Sequence, residues 1–158
     1  MRVTLAAMHR LVASSFGLGF IPRRLWGSDA GAGTFGAVFG AAISLGLLAV
    51  GARWWLTLTI AIVATIASIW SASRFAEDGD PGWICMDETA GTLIAIVGLG
   101  GIPWVVAVVV ARAADIFKVL PGVAAADRMH GPVGITLDDV IAGLYGLAVG
   151  WLLVAAGV

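Results

Sequence analysis

The chain has a single cysteine, Cys85, so it cannot close an intramolecular disulfide, and sulfur says nothing about its redox compartment. A cysteine-based phosphatase wants an arginine shortly after its thiolate to hold phosphate, and Gly91 stands at that place. Cys85 is therefore expected to be inert. Histidine is equally scarce: His9 and His130 lie far apart in the sequence, which disfavours zinc. Only 12% of the residues are charged and the net charge is −1, so no general attraction to nucleic acid is expected. An uninterrupted apolar N-terminal run is also missing. His9 and Arg10 break it, and a cleaved secretory signal is not expected.

What fills the chain is apolar: 60% of its 158 residues are hydrophobic, far above an average soluble domain. Crossing the hydrocarbon as a helix takes about 20 mostly apolar residues, fewer where the flanks snorkel. Candidate spans are Phe35 to Gly51, Trp54 to Ala72, Glu88 to Leu99, Ile102 to Phe117 and Val140 to Val158. The third and fourth are short by this measure. "GLGGIPW" divides them, because paired glycines weaken helix and Pro103 disfavours it at the preceding residue. Leu5, Met8, Val12 and Phe16 recur at helical spacing with Arg2 and His9 set off from them. That pattern suits a helix in the membrane interface, or equally a lead-in that packs on the bundle. The predicted fold is all-α: a polytopic membrane bundle of about five spanning helices plus an N-terminal interfacial helix, in one domain over residues 1–158.

Five spans place every Asp and Glu on one side of the membrane, with every Lys and Arg except Arg53. The positive-inside rule makes that side cytoplasmic and the C-terminus external. Small residues recur at four-residue spacing in Gly36, Gly40 and Ser44, and again in Ala142, Gly146 and Gly150. Such stripes serve close helix packing inside one subunit, or the seam of a homodimer. The seven tryptophans fall mostly near the ends of the proposed spans and are read as interfacial anchors.

The few acids are the chemical signal. Asp80, Asp87 and Glu88 precede the third span, Asp115 lies near the end of the fourth, and Asp138 and Asp139 open the fifth. Two unit charges 4 Å apart repel by about 1 kcal/mol in water and about 4 kcal/mol at an effective dielectric of 20. Such a cluster needs protons or a cation, and an all-oxygen set favours a hard ion, Mg²⁺ first. For Asp138 and Asp139 a plainer reading stands beside this one: Thr136 to Asp139 matches a capping box at a helix start. Arg112, Asp115 and Lys118 are spaced three apart on one predicted helix face, either to grip phosphate or to form a salt-bridge ladder. "GAGTFG" fits G-x-G-x-x-G without the strand a dinucleotide site requires. Its helix start still offers free N–H groups, so Gly33 and Thr34 are phosphate-binding candidates, with Thr34 as a simple N-cap the alternative.

The ordered motifs "FGLGFIP…AGTFGA", "DPGWICMDETAG" and "ARAADIFKVLPGVAAADRMHGPVGITLDDVIAGLY" resemble those of the phosphatidylglycerophosphatase A family of membrane lipid phosphatases. The resemblance runs through most of the chain. It implies a Mg²⁺-dependent hydrolase that removes the terminal phosphate of phosphatidylglycerophosphate, giving phosphatidylglycerol for phospholipid biosynthesis in the bacterial cytoplasmic membrane. The positions it carries over are Asp80, Asp87, Glu88, Arg112, Asp115, Lys118, Asp138 and Asp139. On that reading Asp87, Glu88, Asp138 and Asp139 hold metal, with Asp80 and Asp115 near, and Arg112 and Lys118 steady the phosphate. The alternatives are a phosphatase for another lipid phosphate, and a cation-binding membrane protein without enzymatic activity.

Overall fold

The computed structural model describes residues 2–75 and 81–158; the predicted site residue Asp80 lies outside them. Among the described residues every regular element is helical. In chain order these are α1 (Arg2–Ala13), a 3₁₀ turn (Leu18–Phe20), α2 (Ile21–Trp26), α3 (Ala32–Ala49), α4 (Trp54–Ala72), α5 (Met86–Ala95), α6 (Gly101–Phe117), α7 (Val123–Asp127) and α8 (Pro132–Ala155).

The bundle is inside out relative to a soluble protein. Its buried positions are dominated by Ala, Gly, Ser and Thr, while Val38, Leu45, Ile62, Ile66, Val105, Val109, Leu144 and Leu152 point outward. Water would penalise so large an apolar exterior, and hydrocarbon accepts it. Three helices, α3, α4 and α8, are long and apolar enough to cross a membrane. The other two expected spans exist as helices but fall short, α5 with 10 residues and α6 with 17.

Helix α5 is short because of where it sits. It touches α3, α4, α6 and α8, and most of its side chains are buried. It ends at Ala95, ahead of the predicted glycine break, where Gly98 turns at φ 72° and the Trp151 indole donates to the Val97 carbonyl at 3.2 Å. Both small-residue stripes point inward. Gly36 lies against the Cys85 carbonyl and Gly40 against Thr89, while Gly146 and Gly150 lie against α6. Ser44 accepts from the Trp104 indole at 3.2 Å.

Three local expectations are corrected. Helix α8 starts eight residues before the expected Val140, with Gly131 as N-cap at φ 92° and Pro132 in the first turn. Proline fits there because its missing N–H has no partner to lose. Thr136 therefore caps nothing: its hydroxyl bonds the Pro132 carbonyl at 3.2 Å and Ser68 of α4 at 2.8 Å. Similarly, Gly31 at φ 93° caps α3, and Thr34 sits inside the first turn, its N–H spent on the Gly31 carbonyl at 2.9 Å. In α1, Leu5, Met8 and Phe16 just beyond it are exposed, whereas His9 is buried, stacked on Trp70 with Nδ1 3.3 Å from the Ser71 carbonyl. Histidine is thus the packing face of α1, not its outer polar face.

Candidate active site

The first turn of α5 is held from several sides. The Cys85 N–H donates to the Ala13 carbonyl at 2.9 Å, and the Thr89 hydroxyl bonds the Gly36 carbonyl at 2.9 Å and Ser15 at 2.7 Å. That framework presents Asp87 and Glu88 at the positive end of the helix, where carboxylates are favoured. Cys85 itself is sealed: burial pushes its thiol up to about 12, so no thiolate nucleophile is at hand.

Helix α8 crosses α5 at a pair of glycines. A Cβ on Gly143 would overlap the Gly91 carbonyl, and one on Gly91 would lie 2.6 Å from the Asp139 carbonyl. This close approach brings Asp138 and Asp139, in the second turn of α8, beside Asp87 and Glu88. Asp115 arrives from the last turn of α6. Oxygens of Asp87, Glu88 and Asp139 lie within 4.8 Å of one another, as do those of Asp115, Asp138 and Asp139, so Asp139 belongs to both groups. Asp87, Asp138 and Asp139 are only 5%, 6% and 6% exposed.

The cations are engaged by these acids. Arg112 bonds Asp115 at 2.7 Å and approaches Asp139 at 3.9 Å. Lys118 bonds Asp138 at 2.7 Å and also pairs with Asp127. The three-residue ladder breaks at Lys118, which adopts the left-handed conformation at φ 51° as the cap of α6 and so turns off the face shared by Arg112 and Asp115. Burial alone would lower the Lys118 ammonium, but its bonds to Asp127 and Asp138 hold its pKa above the usual lysine value.

A cavity of about 450 Å³ opens over Asp87, Glu88, Asp115, Asp138 and Asp139. A second, of about 660 Å³, adjoins it at Glu88 and is lined by Gly33, Thr34, Arg112 and Asp29. Gly33 abuts the Glu88 carboxylate so closely that a Cβ would overlap it. Two buried oxygens in the cluster, Glu88 Oε2 and Asp138 Oδ1, have no hydrogen-bond partner among the described residues. An all-oxygen donor set with unsatisfied buried lone pairs fits a hard divalent cation.

Asp127, Arg128 and His130 also line the first cavity and Asp29 the second; no local spacing marks these residues as part of a site, and the fold brings them there.

Residues 11–154 match the family described as Phosphatidylglycerophosphatase A. The chain belongs to that family. It is also 32% identical over 145 residues to a Bacteroides thetaiotaomicron protein with the provisional name phosphatidylinositol-3-phosphatase, a match covering 85% of this chain and 86% of the relative. No solved structure matches. Membership in the phosphatidylglycerophosphatase A family and the phosphatase relative identify a phosphoric monoester hydrolase of lipid-phosphatase type, and its apolar helices make it a membrane protein.

Proposed function

We propose that the chain is a Mg²⁺-dependent phosphatidylglycerophosphatase that releases the terminal phosphate of phosphatidylglycerophosphate and leaves phosphatidylglycerol. The observation that carries this reading is the buried carboxylate cluster drawn from α5, α6 and α8, with two oxygens left without partners. Asp87, Glu88, Asp138 and Asp139 would hold the ion, with Asp115 beside them. Bound Mg²⁺ supplies Lewis-acid polarisation and positive charge against the phosphate oxygens. A carboxylate of the set takes the proton of the attacking water as the water oxygen bonds to phosphorus; the ester P–O bond breaks and the departing glycerol oxygen takes up a proton, from that acid or from solvent, to leave as the alcohol. Arg112 and Lys118 offset the charge that develops. Gly33 and Thr34 at the start of α3 line the second cavity together with Arg112, whose guanidinium favours phosphate oxygens there.

The relative's name favours a second substrate, phosphatidylinositol 3-phosphate. The two lipids share an architecture: a headgroup that carries a monoester phosphate and is joined to diacylglycerol through a phosphodiester. The membrane orientation follows from charge. With α5 and α6 counted as crossings, five spans put the acid cluster on the Arg- and Lys-rich side, which the positive-inside rule makes cytoplasmic, in the bacterial cytoplasmic membrane.

Phosphate release from the detergent-solubilised chain, given each lipid with Mg²⁺ or with chelator, tests the reading. Phosphatidylglycerophosphate is the expected preferred substrate and chelation is expected to abolish turnover. Asp87→Asn and Asp138→Asn should each lower the rate about a hundredfold. An inactive wild type, or variants at the wild-type rate, would overturn it.

A further inference from the structure

We propose that Arg128 and His130, on the turn between α7 and α8, form an anion subsite for the phosphodiester of the lipid while its monoester phosphate lies among the carboxylates. This inference rests on the lipid-phosphatase reading above. Both residues are exposed and line the 450 Å³ cavity that holds Asp87, Asp138 and Asp139. A cavity of that size is more than a single phosphate fills.

The cations around the acids divide into two kinds. Lys118 is committed to Asp127 and Asp138, and Arg112, which lines the adjoining cavity, to Asp115 and Asp139. Arg128 pairs with no carboxylate among the described residues. Its Nε donates to the Ala124 carbonyl at 2.9 Å, which fixes the guanidinium plane and leaves the two terminal nitrogens for a ligand. A guanidinium fork suits two oxygens of one phosphate. His130 adds a ring nitrogen from two residues further on.

The turn is set by its contacts. The Met129 N–H donates to the Ala126 carbonyl at 2.8 Å, and Gly134 of α8 sits so close to the Met129 carbonyl that any Cβ would overlap it. Arg128 and His130 are thereby placed relative to Asp138 and Asp139, which ride on that same helix. A lipid with one phosphate at each end of its headgroup can occupy both subsites. A lipid whose monoester is attached directly to diacylglycerol reaches only the carboxylates.

The test compares kcat/KM for phosphatidylglycerophosphate with that for phosphatidic acid, which has no phosphodiester, in the full chain with Mg²⁺. Arg128→Ala should lower the ratio of the two about tenfold, mainly through KM for the diester-bearing lipid, and Arg128→Lys should restore part of it. His130→Gln should lower the ratio by a smaller factor. An unchanged ratio, or equal loss on both lipids, overturns the subsite. Retention of phosphatidylglycerol, measured by native mass spectrometry without Mg²⁺, separates this proposal from the hydrolytic one. If wild type hydrolyses neither lipid, the phosphatase reading fails; the subsite then stands only if wild type retains more of this diester lipid than Arg128→Ala does.

Discussion

Gly33 lacks a side chain where the Glu88 carboxylate needs the room. A Cβ there would overlap that carboxylate and lie 3.2 Å from an Arg112 nitrogen, so an alanine must displace a group of the acid cluster. In the first turn of α3 the same change gains helix propensity of up to about 1 kcal/mol. Gly33→Ala is therefore expected to keep or slightly raise the thermal midpoint while lowering phosphate release about tenfold or more, since small misplacements of reacting groups are costly. Thermal unfolding and turnover measured on one preparation check it, and full activity in the variant would show that Glu88 has slack. Asp139 is placed differently: among the described residues it is the one carboxylate that belongs to both clusters.

At the scale of elements, the crossing of α5 and α8 aligns the cluster. Contact between Gly91 and Gly143 is backbone to backbone, so the separation of Asp87 and Glu88 from Asp138 and Asp139 depends on having no side chain at either glycine. Gly143→Val should push the helices apart, costing about 1 to 3 kcal/mol by overpacking and removing activity even in the fraction that folds. Denaturation in detergent together with specific activity per folded molecule tests this; a stable, active variant would mean that the crossing adjusts without the site noticing. The start of α8 matters in the same way. Because Gly131 and Pro132 begin the helix, Asp138 and Asp139 sit about 9 Å along it, inside the bundle and not at its rim.

For the whole molecule, an exterior of Leu, Ile, Val and Trp around an interior of Ala, Gly, Ser and Thr makes the bilayer the solvent of the fold. Helices α3, α4 and α8 have the length to cross it, while α5 packs against all three and α6 lies along α5 and α8. The carboxylates come from the start of α5, the end of α6 and the early turns of α8 and meet in one cluster. A reporter fused after Val158 is accordingly expected to read outside the cytoplasm, and a cytoplasmic signal would remove the five-span arrangement.

Much of this was legible in the residues alone, for a physical reason: hydrocarbon tolerates so few polar groups that composition marks the membrane helices and each retained acid stands out. The helical class, the break near Gly98 to Gly101, the expected span Trp54 to Ala72 and the family resemblance all came from the chain read in order. The tertiary structure decided what depends on register and on partners distant in sequence. It moved the start of α8 from Val140 to Pro132, turned Lys118 away from Asp115 toward Asp127 and Asp138, and buried His9 against Trp70. It also brought Arg128 and His130 to the cavity. Those outcomes hang on a few left-handed residues and on glycine contacts such as Gly91 with Gly143, whose effect on side chains many residues away no local spacing encodes.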